Sequence, residues 1–146
     1  MTGSYLSRTL ALVAVTASLA AGCGRSVDRS LDPANELPRG VIDTPAPGTV
    51  LRPGPTLVGG WALDDTGVVE VRIYFDGRYV ARTSLLVPRP DVAQAFPAYA
   101  RPGDLYGWNI EIDFAATDAD HVILAQAVDA NGATRDIGAV AVKGHR

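Results

Sequence analysis

Cysteine and histidine are scarce in this chain of 146 residues, which has one Cys and two His. The single cysteine, Cys23, has no partner for an internal disulfide. With neither paired cysteines nor a His-x-x-x-His spacing, nothing supplies a transition-metal site. Serine is scarce as well. Beyond residue 22 only Ser26, Ser30 and Ser84 occur, and the histidines are His121 and His145, so a serine–histidine–carboxylate nucleophile is hard to assemble. No glycine-rich loop opens a helical stretch, which removes the usual phosphate cradle. There is no basic patch or run of one charge. The net charge is −3 and the pI about 5.2, a poor match for nucleic acid. No apolar run reaches the roughly 20 residues that a bilayer-spanning helix needs. No catalytic residue, cofactor or metal site is expected from these absences.

What the chain does have begins with an address. Residues 9–21 form an apolar run after Arg8, with the length of a secretory signal core. The run ends in Leu19-Ala20-Ala21-Gly22-Cys23. Small residues before a cysteine resemble the bacterial lipoprotein box. The resemblance implies cleavage after Gly22 and acylation of Cys23 (palmitate-type chains), a lipid anchor in which several chains together give stable membrane attachment. Gly24 follows instead of an aspartate, which in a Gram-negative host implies the outer membrane. Residues 1–22 are thus expected to be a signal peptide. Residues 23–40 are expected to be the lipidated cysteine and a polar, flexible tether of about 20–25 Å r.m.s. span. Residues 41–146 are expected to be the folded domain.

Within that domain the apolar content of 47% supports a core, and 15 Gly with 10 Pro suit many short strands and turns. Val69, Val71, Ile73 and Phe75 alternate with Glu70, Arg72 and Tyr74, the two-residue period of a half-buried strand. Asp76-Gly77 supplies a tight hairpin turn. Strands are expected over 40–44, 56–63, 68–75, 79–86, 106–114, 121–129 and 133–142. Leu57, Trp61 and Leu63 are expected to share one face of the second. Pro45 and Pro47 bar central pairing after the first strand. Gly59-Gly60 marks a bulge or a close backbone contact. Residues 86–106, with four prolines, break the rhythm as a long loop. Pro90 to Phe96 has room there for a short helical turn, with Pro90 and Asp91 at its start. About seven short strands with regular turns make the fold class all-β, an immunoglobulin-like antiparallel β-sandwich.

Four segments carry a further resemblance: Gly60-Trp61-Ala62-Leu63-Asp64-Asp65; Val71-Arg72-Ile73-Tyr74-Phe75-Asp76-Gly77; Pro88-Arg89-Pro90-Asp91-Val92 with Phe96-Pro97-Ala98-Tyr99; and His121, Ile123, Ala125, Ala127, Asp129 and Gly132. In this order they resemble bacterial Ig-like domains over about 41–142. The resemblance implies a sandwich, and mostly non-catalytic modules of exported or surface proteins, but no ligand.

Two kinds of residue are candidates for function. Asp64, Asp65, Asp118, Asp120, Asp129 and Asn131 fall in turns, where they either cap their own backbone or gather as oxygen ligands for calcium. Trp61, Phe75 and Phe114 are expected in the core. Phe96, Tyr99 and Tyr106 flank the long loop and either pin it to the sandwich or form a stacking platform for a partner. The apolar residues on both faces of 122–128 are either covered by that loop or left as a patch. The expected function is a non-enzymatic binding or structural module at the cell envelope, its partner an envelope protein; the alternative is a carbohydrate-binding accessory that holds a glycan on the same aromatics. Cys23→Ser is expected to move the protein from the membrane fraction to the soluble one, and retention of the variant on membranes would contradict the anchor.

Overall fold

The computed structural model describes residues 29–115 and 117–145. The expected signal peptide and Cys23 lie outside the described residues. Among the described residues, eight strands form in chain order: β1 (Arg39–Thr44), β2 (Val50–Leu51), β3 (Pro55–Leu63), β4 (Val68–Phe75), β5 (Arg78–Thr83), β6 (Gly107–Asp113), β7 (Asp120–Asp129) and β8 (Thr134–Gly144). One short helix, α1 (Pro90–Ala95), and a 3-10 turn (Pro97–Tyr99) interrupt the crossover between β5 and β6. Two sheets result, one ordered β1-β3-β6 and the other β2-β8-β7-β4-β5. This is the arrangement of an immunoglobulin-like sandwich, with β1 in one sheet and β2 at the edge of the other.

The inner faces close on one core. Val58 and Ala62 of β3, Val71 and Ile73 of β4, Trp108 of β6, and Ile123, Ala125 and Ala127 of β7 are essentially without exposure. Phe75 and Phe114 stack in the same core with centroids 4.7 Å apart. The Asp76-Gly77 turn has φ of 49° and 75°, the doubly left-handed pair that a two-residue hairpin needs.

Three expectations are corrected here. Val69 does not belong to the inner face of β4. A bulge between Val68 and Glu70 turns it outward to 53% exposure and puts Val68 against the core instead. In β3 the set Leu57, Trp61 and Leu63 shares one face as expected, but it is the outer one, because Val58, Gly60 and Ala62 face the sandwich core. Trp61 is therefore not a core residue; it floors a second, smaller cluster. Finally, the sheets are not wholly antiparallel. Three residues past Pro47, β2 pairs in parallel with β8 at the sheet edge, where Val50 meets Lys143.

The Gly59-Gly60 pair serves close approach. A Cβ on Gly60 would overlap the carbonyl of Val41, and one on Gly59 would press on the β6 backbone at Trp108. Both neighbours are backbone and have little freedom to yield. Gly60→Ala is expected to destabilise the domain by at least about 2 kcal/mol, the range of overpacked cores, read as a fall in thermal midpoint. An unchanged midpoint would mean that β1 moves aside at little cost.

Candidate functional site

β3 ends, and β4 begins, at the same end of the sandwich as the β7–β8 hairpin, since Val68 pairs with Asp129. The crossover leaves and returns there too, because β6 starts opposite Trp61. β1 enters at that end, with Arg39 opposite Leu63. Three connections and the N-terminal segment thus converge on one face of loops.

The crossover is held down by its own apolar residues. Leu63, Val92 and Tyr106 are buried together, and Trp61, Ala93, Phe96 and Tyr99 pack against them. Trp61 and Phe96 meet at 5.4 Å between centroids. Arg89 fastens the start of α1. Its Nε and one terminal nitrogen donate to the two oxygens of Asp91 at 2.9 and 2.7 Å, and the other donates to Asp43 of β1 at 2.7 Å. Bonding to this guanidinium brings the Asp91 carboxyl down to about 2, and its two carboxylate partners hold Arg89 above its ordinary value.

Of the sequence-based candidates, Phe96 and Tyr99 are half-buried, and Tyr106 is 6% exposed. The Tyr106 hydroxyl donates to the Tyr99 carbonyl at 2.9 Å, and burial raises its pKa. The structure brings all three together under and along the loop but forms no open platform of three rings, because Tyr106 is spent on holding the loop. The Tyr99 hydroxyl donates to Glu36 at 2.5 Å, and that carboxylate raises the tyrosine pKa. Arg39 lies 5.7 Å from the Tyr99 ring centroid.

Within the stretch expected to be tether, residues 35 and 38 contact the domain. Asn35 donates from Nδ2 to Asp129 at 2.7 Å and accepts from the side chain of Asn131 at 2.5 Å. Pro38 is fully buried. Sequence reasoning missed this contact because Asn35 and Glu36 sit in a polar stretch without a period.

The turn acids divide between the two ends. Asp64 accepts on Oδ1 from the backbone and hydroxyl of Thr66 at 2.8 and 2.6 Å. Asp129, 1% exposed, accepts from the amides of Asn131 and Ala133. Both cap their own turns. Asp120, opposite Lys143, lies at the far end of β7. Among the described residues no three acidic or histidine side chains gather to hold a metal. The alternative of a covered 122–128 face is also resolved. The crossover lies on the other sheet, and Val122 is left 45% exposed.

The far end holds a constellation that the sequence did not reveal, since His121 lies 45 residues along the chain from Asp76 and no local motif links the two. His121 is 7% exposed, stacks on Phe75 at 4.7 Å, and bonds through Nδ1 to Asp76 at 2.6 Å. Its Nε2 lies 3.0 Å from the Thr117 amide and 3.2 Å from the Thr117 carbonyl. A neutral ring accepts from the first; a protonated ring donates to the second. Asp76 also accepts from the Val122 amide at 2.9 Å. The pair therefore ties the β4–β5 turn and Thr117 to β7.

No protein-family model and no curated protein matches this chain. Among solved structures, the fibronectin(III)-like modules of Clostridium thermocellum CbhA align with a TM-score of 0.41 at 16% identity, over 73% of this chain and 99% of that chain. At that distance the likeness says nothing of ligand or partner.

Asp76 raises the pKa of His121, chiefly through their hydrogen bond, and His121 lowers that of Asp76 in turn. The histidine's contribution is full below its ordinary value and fades as pH rises through the raised one. The carboxylate's is full above its ordinary value and fades as pH falls through the lowered one. Both act together from about pH 4 to 6.5. Asp76→Asn is therefore expected to destabilise most in that window, with the deficit shrinking toward pH 9 in denaturant titrations. A deficit independent of pH would contradict a charged pair.

Proposed function

We propose that this chain is a lipid-anchored protein of the cell envelope whose single immunoglobulin-like sandwich works by surface contact, as a binding or structural module without bond-making chemistry of its own. One observation carries the reading: the long crossover is packed onto the outer face of β3 by a second apolar cluster. A loop so fastened keeps its shape, and preorganised surfaces lose less entropy on binding. Loops on rigid sandwich ends are a common location for recognition.

The anchor enters through the lipoprotein-type sequence before Cys23. It bears on orientation. On its N-terminal side the domain is joined at the loop-bearing end, where Asn35 is held by Asp129. The partner, on this reading an envelope protein, meets the crossover at that end. Leu86 and Leu105 are its exposed apolar residues, at 62% and 37%.

A photo-crosslinking amino acid placed at 86 or 105 in intact cells is expected to trap one discrete adduct. The same probe at Val50, exposed at the sandwich edge formed by β2, is expected to trap none. Adducts from position 50 alone, or equally from all three, would contradict a partner on the crossover.

A further inference from the structure

The crossover packs on the three-stranded sheet, so the outer face of the five-stranded sheet stays open among the described residues. Strand register fixes what that face shows. Ala139 of β8, Leu124 of β7, Tyr74 of β4 and Tyr79 of β5 lie side by side in one row. Tyr74 and Tyr79 meet edge to face, 5.9 Å between centroids. Ala141 and Val122 continue the apolar surface toward the far end. Val122 is 45% exposed and Tyr79 55%. On the loop side the next row is Asp136, Gln126, Arg72 and Arg82. The residues between these rows, such as Ile73, Ile123 and Val140, are buried, so the rows themselves point outward.

Both long rows are graded across the strands. The apolar row is small at β8, where it has Ala139, and large at β5, where it has Tyr79. The polar row is negative at β8 and positive at β5. Asp136 accepts from the neutral amide of Gln126 at 3.0 Å. At the other end Glu70 accepts from Arg72 at 2.6 Å and from Arg82 at 3.2 Å. One carboxylate for two guanidiniums leaves one positive charge over, and the Arg82 side chain is 70% exposed.

A face graded in this way is its own complement under a twofold axis. The axis lies in the plane of contact, along the strands, between β7 and β4. It sets β8 against β5 of a second copy and β7 against its β4. Ala139 then faces Tyr79, Leu124 faces Tyr74 and Asp136 faces Arg82, each contact occurring twice. Small meets large and negative meets positive in the same operation.

We propose that this chain pairs with a second copy of itself through the outer face of the five-stranded sheet, about this axis. Four strands and three rows of side chains cover on the order of 400 Å² per copy, about half of what a stable complex buries. The dimer is therefore weak in solution, and two copies anchored to one membrane gain from their raised effective concentration. β2 extends past the β5 of the second copy, so Val50 stays outside the contact. The crossover is also left free, so the contact goes beyond the partner reading above and does not rest on it.

The test is analytical ultracentrifugation of the exported full chain carrying Cys23→Ser. A monomer–dimer equilibrium is expected, with Kd between about 10 μM and 1 mM. Asp136→Arg and Arg82→Asp each set like charges face to face twice, and each alone is expected to weaken the dimer by at least about tenfold. A one-to-one mixture of the two variants restores both pairs, and is expected to dimerise as the unsubstituted chain does. Val122→Lys alters an exposed position on the same face and is expected to abolish dimerisation with the thermal midpoint kept. A monomer at every concentration up to about 1 mM would overturn the proposal. So would a dimer that is indifferent to all three substitutions, or a mixture that associates no better than its components. Crosslinks from positions 86 and 105 report on the envelope partner separately, and their absence would leave the dimer standing.

Discussion

The outer face of β3 is the constraint on which the rest turns. A two-sheet domain buries its inner faces on each other and ordinarily leaves its outer faces polar. Here the outer face carries Trp61 and Leu63, too much apolar surface to leave in water. The crossover covers it. Val92 and Tyr106 are buried on this face, Phe96 leans on Trp61, and Arg89 bolts the start of α1 to β1. The long connection is therefore a third layer of the domain at one end, continuous with the turns that Asp64 and Asp129 cap.

That layer explains where function can reside. Sandwich modules offer little concave surface, and recognition falls to the loops that a rigid frame presents. This frame collects the crossover, two capped turns and the docked segment around Asn35 at a single end. The opposite end is tied down by His121 and Asp76, which bond to each other and, through their remaining edges, to the backbone of Thr117 and Val122. A histidine so engaged is a fastener. Its hydroxyl neighbour Thr117 lies 3.3 Å from Nε2, but the Thr117 amide is nearer at 3.0 Å.

Much of the frame was legible in the sequence. The period of two marks β4, β6 and β7, and Asp76-Gly77 and Asp129 to Gly132 mark their turns, because alternation and positive φ are local properties. The errors arose where a residue's side depends on something non-local. Val69 follows the alternation of its neighbours, yet a bulge against β7 reverses it. Leu57, Trp61 and Leu63 look like a core face because they are the larger residues of β3; the inner face is the smaller set, Val58, Gly60 and Ala62, since Gly60 must pass close to Val41. The site residues divide the same way. Phe96, Tyr99 and Tyr106 stood out by composition, but their burial depended on what β3 presents beneath them. Asn35 carried no signal, since a polar residue in a polar stretch reads as tether until its partners on the β7–β8 hairpin are known.

The central claim is that residues 86–106 form a folded layer. Amide hydrogen exchange tests it most directly. The amides of Ala93 and Phe96, which donate to the carbonyls of Arg89 and Val92, are predicted to be protected together, to a degree approaching that of β6. Exchange of both at the rate of an unstructured chain, with the sheets still protected, would contradict the account.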